Sequence, residues 1–150
     1  MSTEASAEPQ QHVTDAVLRM ARVLYPHDAL PDEVYARVGA KLAEAAADDA
    51  ETGRTIAAGV AALDGGGEGP FAERGADEQL EAVKAIEGSP FFELVRSTAV
   101  VEVYSDQATW KAFGYEGASF DKGGYVNRGF NDLDWLPDPD PQPADAAKEA

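Results

Sequence analysis

The chain contains no cysteine, which excludes disulfides, thiolate catalysis and cysteine-ligated zinc or iron–sulfur clusters within it. Histidine is scarce. His12 and His27 are the only two, and neither has a serine, a cysteine or a second histidine at a useful spacing. A metal site needs three or four convergent ligands, and His27 beside Asp28 offers one weak contact, so a hydrogen-bonded turn histidine is expected there. No apolar run approaches the ~20 residues that span a bilayer, so no membrane insertion is expected. Residues 1–11 lack a basic segment, an apolar core and an Arg-Arg pair, so neither a secretory nor a twin-arginine signal is visible. Read from Met1, the expectation is a cytoplasmic chain, or a periplasmic one if it is exported with a partner or if a leader was removed. Basic residues are few, 12 Lys and Arg against 28 acids for a net charge of -16, and they are scattered singly. Phosphate contacts need clustered cations, so no nucleic-acid partner is expected, and an anionic membrane surface would repel the chain.

Nucleotide and cation motifs are absent too. The glycine cluster GGGEGP at 65–70 lacks the Lys-Ser/Thr ending of a phosphate loop, and no GxGxxG follows a strand. Asp132, Asp134, Asp138 and Asp140 lack the glycine and the bidentate glutamate of a calcium loop, and prolines stiffen the intervening backbone. With 28 acids, any two match some spacing, so paired carboxylates argue nothing. No catalytic residue, metal ligand or cofactor-binding residue is assigned to this chain.

What is present is enough for one domain. The 150 residues are 44% hydrophobic, and a chain of this length buries roughly 70% of its unfolded surface. The pattern predicts a mainly α fold, with about five helices followed by an irregular arm. Residues 1–12 are expected to be flexible, and Thr14 to cap a first helix carrying Val17, Met20 or Ala21, and Leu24. Pro26 stops it. Pro31 with Asp32 and Glu33 opens a second helix with Val34, Val38 and Leu42 on one face. A short third helix presents Ile56, Val60 and Leu63, and the glycine cluster is expected to be the main internal joint. Asp77 caps a fourth, with Leu80, Val83 and Ile86 on one face, closed by Gly88. Ser89-Pro90 starts a fifth that is apolar nearly all round from Phe91 to Tyr104, as a helix at the centre of a core or covered on two sides would be. The β-branched cluster at 100–103 leaves a strand there as an alternative. Residues 138–150, acidic and proline-rich, are expected to form a solvated tail.

The distinctive stretch is 110–137, WKAFGYEGASFDKGGYVNRGFNDLDWLP. Counted from Tyr104, it carries eight of the chain's thirteen aromatic residues, with glycines set between them. Rings at this density must be buried, either on the chain's own helices or on another protein. Interface cores favour Tyr, Trp, Phe and Arg, so Trp110, Phe113, Tyr115, Phe120, Tyr125, Arg128, Phe130 and Trp135 are the candidate partner-binding residues. The two readings are compatible, because an arm can pack on its own domain with one side and on a partner with the other.

The run SPFFELVRSTAVVEVYSD, the segments FGYEG, KGGY and RGFNDLDWLP, and the earlier LYPHDALPDEVYARV resemble the gluconate 2-dehydrogenase subunit 3 family. The resemblance covers most of residues 13–137. It implies a small accessory subunit without a cofactor of its own, paired with a large FAD-containing subunit of the glucose–methanol–choline (GMC) type that oxidises a sugar or alcohol. The small subunit would bind and stabilise that partner, supporting its folding and activity. The absent twin-arginine signal departs from those members that escort their partner through export. The alternative expectation, from a different class, is a stand-alone helical ligand-binding protein or small enzyme using His27 and neighbouring acids.

Overall fold

The computed structural model describes residues 7–126. Among them lie six α-helices: α1 Ala7–Leu24, α2 Asp32–Asp48, α3 Ala50–Gly65, α4 Ala76–Ala85, α5 Pro90–Tyr104 and α6 Gln107–Ala112. Single 3-10 turns span Phe71–Glu73 and Phe120–Lys122. Among the described residues there is no strand, and no helix is long and apolar enough to cross a membrane. The chain divides into two compact units after Tyr115, and all six α-helices belong to the first. The proline-rich tail at 138–150 lies outside the described residues.

Helix α2 is the hub, with its broadest contacts to α1, α5 and α3. Val34, Val38 and Leu42 are buried as their spacing predicts, and Tyr35 joins them at full burial. Val17, Met20 and Ala21 face them from α1, and Val95, Ala99 and Val103 from α5. Each valine, leucine or methionine among them withdrawn from water contributes about 2 kcal/mol before chain entropy is counted, and each alanine about 1 kcal/mol or less.

Several local expectations need correction. Helix α1 begins at Ala7, seven residues before the Thr14 cap that was expected. Alanine, glutamate and glutamine are good helix formers, and the half-buried pair of His12 with Asp64 of α3 (2.7 Å) anchors this end. Thr14 is therefore interior, and its hydroxyl donates to the Gln10 carbonyl at 2.9 Å rather than capping anything. Helix α3 starts earlier than expected, because Asp49 is its N-cap. Its carboxylate accepts from the Thr52 amide (2.8 Å) and hydroxyl (2.7 Å) and from the Glu51 amide (3.3 Å). Helix α4 is capped at Gly75, whose amide donates to Glu78 (3.3 Å), which places Asp77 inside the first turn. Val83 is buried and Ile86 partly so, but Leu80 turns outward.

Helix α5 is a helix throughout, and the Ser105 amide donates to Val101 at 3.0 Å, so the strand alternative falls. Its start is as predicted: the Ser89 hydroxyl accepts from the Phe92 amide (3.1 Å), with Pro90 in the first turn. It is covered along one side only. Phe91, Phe92, Val95, Ala99 and Val103 face the core, while Val100, Val101 and Tyr104 face solvent. At the other end of this helix α3 approaches so closely that a β-carbon at Gly59 would overlap the Phe91 ring.

The glycine loop at 66–70 is not a free joint. Arg74, only 9% exposed, donates to the carbonyls of Leu63 (2.9 Å), Asp64, Gly67 (3.1 Å), Glu68 (3.2 Å) and Gly69 (2.7 Å). Its guanidinium closes the C-terminal end of α3, where positive charge is favoured by the helix dipole. The Asp64 carboxylate continues this network, accepting from the Phe71 amide at 2.8 Å. Partial burial alone would raise the Asp64 carboxyl. The Phe71 amide, the His12 ring and the charge of Arg74 outweigh that and hold it below the ordinary carboxylate value.

Three outcomes follow from this architecture. Gly59→Ala should lower stability by about 2 kcal/mol or more, although alanine is the better helix former, because the new methyl would fall on the Phe91 ring and its β-carbon and force the two helices to shift; an unchanged urea midpoint would contradict so close an approach of α3 to α5. Arg74→Met should cost at least about 3 kcal/mol by leaving buried carbonyls unpaired, and Arg74→Lys should not restore it, since an ammonium has three donors for five acceptors. A carboxyl whose folded pKa is depressed stabilises the protein above its unfolded value, about 3.9, and loses that contribution as pH falls through the folded one. The stability gap between wild type and Asp64→Asn should therefore be full above about pH 5 and shrink on acidification below about 4; a gap that widens in acid would show the opposite sign of shift.

Candidate interaction surface

The loop joining α1 to α2 and the C-terminal end of α5 build one aromatic cluster. Prolines 26 and 31 bracket the loop, and Leu30, 1% exposed, pins it to the core. Arg22 closes the loop from α1, donating to Asp32 (2.5 Å) and to the Leu30 carbonyl (2.7 Å). The same guanidinium lies over the Tyr35 ring, 4.5 Å from its centre. The Tyr35 hydroxyl donates to the Tyr25 carbonyl (2.6 Å) and accepts from the His27 amide (3.3 Å). A buried tyrosine of α2 thus fixes the backbone from which Tyr25 and His27 project.

On this base the rings meet edge to face. Tyr104 of α5 receives Tyr25 at 5.8 Å and 88°, and His27 at 5.6 Å and 79°. Phe113 packs on His27 at 5.0 Å and 74° and lies 6.3 Å from Tyr104. Nε2 of His27 and the Tyr104 hydroxyl are 2.6 Å apart. Partial burial, with Tyr25 and Tyr35 close by, pushes the Tyr104 phenol above its ordinary value, so it stays protonated at neutral pH. The Tyr25 hydroxyl donates to the Arg96 carbonyl (3.2 Å), tying the loop to the middle of α5.

Helix α6 brings the next rings. Asp106 caps it by accepting from the Ala108 amide (2.7 Å) and pairs with Arg37 of α2 (2.7 Å), which also reaches Glu102 (3.6 Å). Its far end is a Schellman motif. Gly114, at φ +71°, lets the Tyr115 amide return to the Trp110 carbonyl (2.8 Å) and its own amide to Lys111 (3.3 Å). The hydrophobic contact that accompanies such a motif is the Trp110–Tyr115 ring pair at 5.4 Å and 85°. The Trp110 indole N–H donates to the Tyr104 carbonyl (2.6 Å), locking α6 onto the end of α5.

Of the eight residues predicted from sequence, Trp110, Phe113 and Tyr115 fall in the first unit and are joined there to Tyr104 and His27. Trp110 is half-buried, whereas Phe113 is 51% exposed and Tyr115 similarly open. Phe120 and Tyr125 fall in the second unit, where Phe120 is 94% exposed on the 3-10 turn. That turn is closed by the Gly124 amide donating to the Ser119 carbonyl (2.8 Å), with Lys122 3.4 Å from Glu116. Arg128, Phe130 and Trp135 lie outside the described residues. The sequence reading missed Tyr25, His27, Val100 and Val101 as parts of this face. Val100 and Val101 stand one helical turn before Tyr104 and extend the exposed apolar surface along α5.

His27 has aromatic neighbours rather than acids, and among the described residues no group of three or more His, Asp or Glu could hold a metal ion. Apolar grooves also lie elsewhere, one of about 400 Å³ between α1, α2 and α3 and one of about 430 Å³ lined by Gly59 and Phe91, and alanines contribute to both linings. Compared with family models, curated proteins and solved structures, the chain matches none of them.

The ring network predicts a separable outcome. Phe113→Ala should leave the far-ultraviolet circular dichroism and the urea midpoint within about 0.5–1 kcal/mol of wild type, because its ring is half in solvent and anchors no helix. Trp110→Ala should cost more, by releasing α6 from α5; equal losses for the two would show that Phe113 is a core residue and not a surface one.

Proposed function

We propose that this chain is a non-catalytic small subunit that binds and stabilises a large FAD-dependent dehydrogenase of the GMC type, acting on a sugar or alcohol. The resemblance of residues 13–137 to the gluconate 2-dehydrogenase subunit 3 family supplies the class of partner. The observation that carries the binding role is the exposed aromatic and aliphatic face formed by Val100, Val101, Tyr104, Phe113 and Tyr115. These side chains are held by caps, a Schellman turn and ring contacts, so little conformational freedom remains to be lost on docking. Rigid aromatic anchors among few charges are what interface hot spots are made of. A subunit that recognises only the folded partner stabilises it by mass action. The FAD belongs to the partner in this reading, and this chain contributes surface rather than chemistry.

Co-expression with a large FAD-dependent dehydrogenase of the GMC type tests the proposal. The large subunit should be less soluble and less flavin-loaded alone than with this chain; equal yield and loading in both would overturn the reading. Val101→Glu places a charge in the face at a position 58% exposed, so the isolated chain should keep its helical content while affinity for the flavoprotein falls at least tenfold.

A further inference from the structure

In a chain without cysteine, the side chains that give up an electron most readily are methionine, tyrosine and tryptophan. Of the two methionines, Met20 is wholly buried and Met1 lies outside the described residues. Of the five tyrosines and two tryptophans, Tyr25, Tyr35, Tyr104, Trp110 and Tyr115 gather in one linked cluster. Their hydroxyls differ in what can take a proton from them. Tyr25 and Tyr35 donate to backbone carbonyls, and an amide oxygen is too weak a base to keep a proton. Tyr104 is the one described tyrosine whose hydroxyl meets an imidazole, 2.6 Å from Nε2 of His27. The other histidine, His12, is engaged with Asp64. Phe113 against the imidazole and Tyr25 against the phenol hold the pair edge to face.

We propose that Tyr104 is a redox-active tyrosine, the site at which this chain yields an electron to an outer-sphere one-electron oxidant, with Nε2 of His27 taking the phenol's proton. The inference concerns the free chain and is independent of what docks on this face. In the step, one electron passes from the phenol to the oxidant, which is reduced by one. The O–H bond breaks and an N–H bond forms, leaving a neutral tyrosyl radical hydrogen-bonded to an imidazolium. A one-electron reductant such as ascorbate reverses it, supplying the electron while Nε2 gives the proton back. Loss of the electron alone would leave a positive charge on a partly buried ring. Loss of the proton first is disfavoured, because burial, with Tyr25 and Tyr35 nearby, holds the phenol above its ordinary value. Moving both together avoids either charged ring, and it requires a base already at hydrogen-bond distance. Exposure by itself selects a different residue, since Tyr125 is 57% exposed and Tyr104 37%.

The test oxidises the full-length chain at about pH 8, where imidazole is ordinarily the free base. The oxidant is tris(bipyridine)ruthenium(III), generated by a laser flash with a cobalt(III) ammine as terminal electron acceptor. Tyrosyl radical is read by electron paramagnetic resonance after freeze-quenching. Tyr104→Phe should lower that signal at least about threefold, and Tyr125→Phe should leave it unchanged. His27→Phe keeps an aromatic ring and removes the base, so tyrosyl formation should slow at least about tenfold while the helical circular dichroism is retained. If that variant loses its helical content, wild type in deuterium oxide decides instead, where coupled proton loss should slow radical formation about twofold. A signal that survives Tyr104→Phe and falls with Tyr125→Phe overturns the inference in favour of exposure. Equal rates in wild type and folded His27→Phe, or in the two solvents, overturn it by removing the base from the step.

Discussion

The bonding of one guanidinium governs how the first unit closes. Arg74 takes the last carbonyls of α3 and three more from the loop that follows, so a run of glycines that would otherwise be free is fixed in one path. Because the loop is fixed, Phe71 enters the core at full burial and its amide meets Asp64, whose carboxylate in turn holds His12 on α1. Gln79 of α4 completes the arrangement by donating to the Phe71 (3.1 Å) and Ala72 (3.3 Å) carbonyls. Three helices and a 3-10 turn thus share one polar knot. It involves the backbone more than opposite charges, which suits a nearly buried arginine: its donors are satisfied without a second ion having to be desolvated.

The aromatic cluster follows a different logic. There the polar bonds serve to hold apolar groups outward. Tyr35, the Asp106 cap, the indole N–H of Trp110 and the turn at Gly114 each consume a backbone group and leave a ring at the surface. A helix that needed only to be stable would place lysine or glutamate at 100 and 101, where two valines stand. Both residues are poorer helix formers than the charged alternatives and neither is buried.

Much of this was legible in the chain. Ser89-Pro90, the stripe of α2 and the stop at Pro26 have short-range causes, and the structure follows them. The start of α3 was equally local, an aspartate three residues before a threonine, but the alanine run on either side masked it. Leu80 and Thr14 misled because spacing identifies a face without saying which neighbour covers it. The five carbonyls of Arg74 and the Tyr104–His27 pair, 77 residues apart in sequence, depend on how the helices are packed, and no periodicity contains that. The aromatic arm was recognised by composition, and its first part proved to be a helix end with a known turn geometry.

Gly59 and Phe91 have one more consequence. The Phe91 side chain fills the space a β-carbon at Gly59 would need, so the two positions are coupled in sequence variation. A homologue that carries a larger residue at the first must carry a smaller one at the second or separate the two helices, and a change at either alone is closed to neutral drift. Among related chains, correlated substitution at this pair would mark those that preserve the α3–α5 approach, even where the surface helices have diverged beyond recognition.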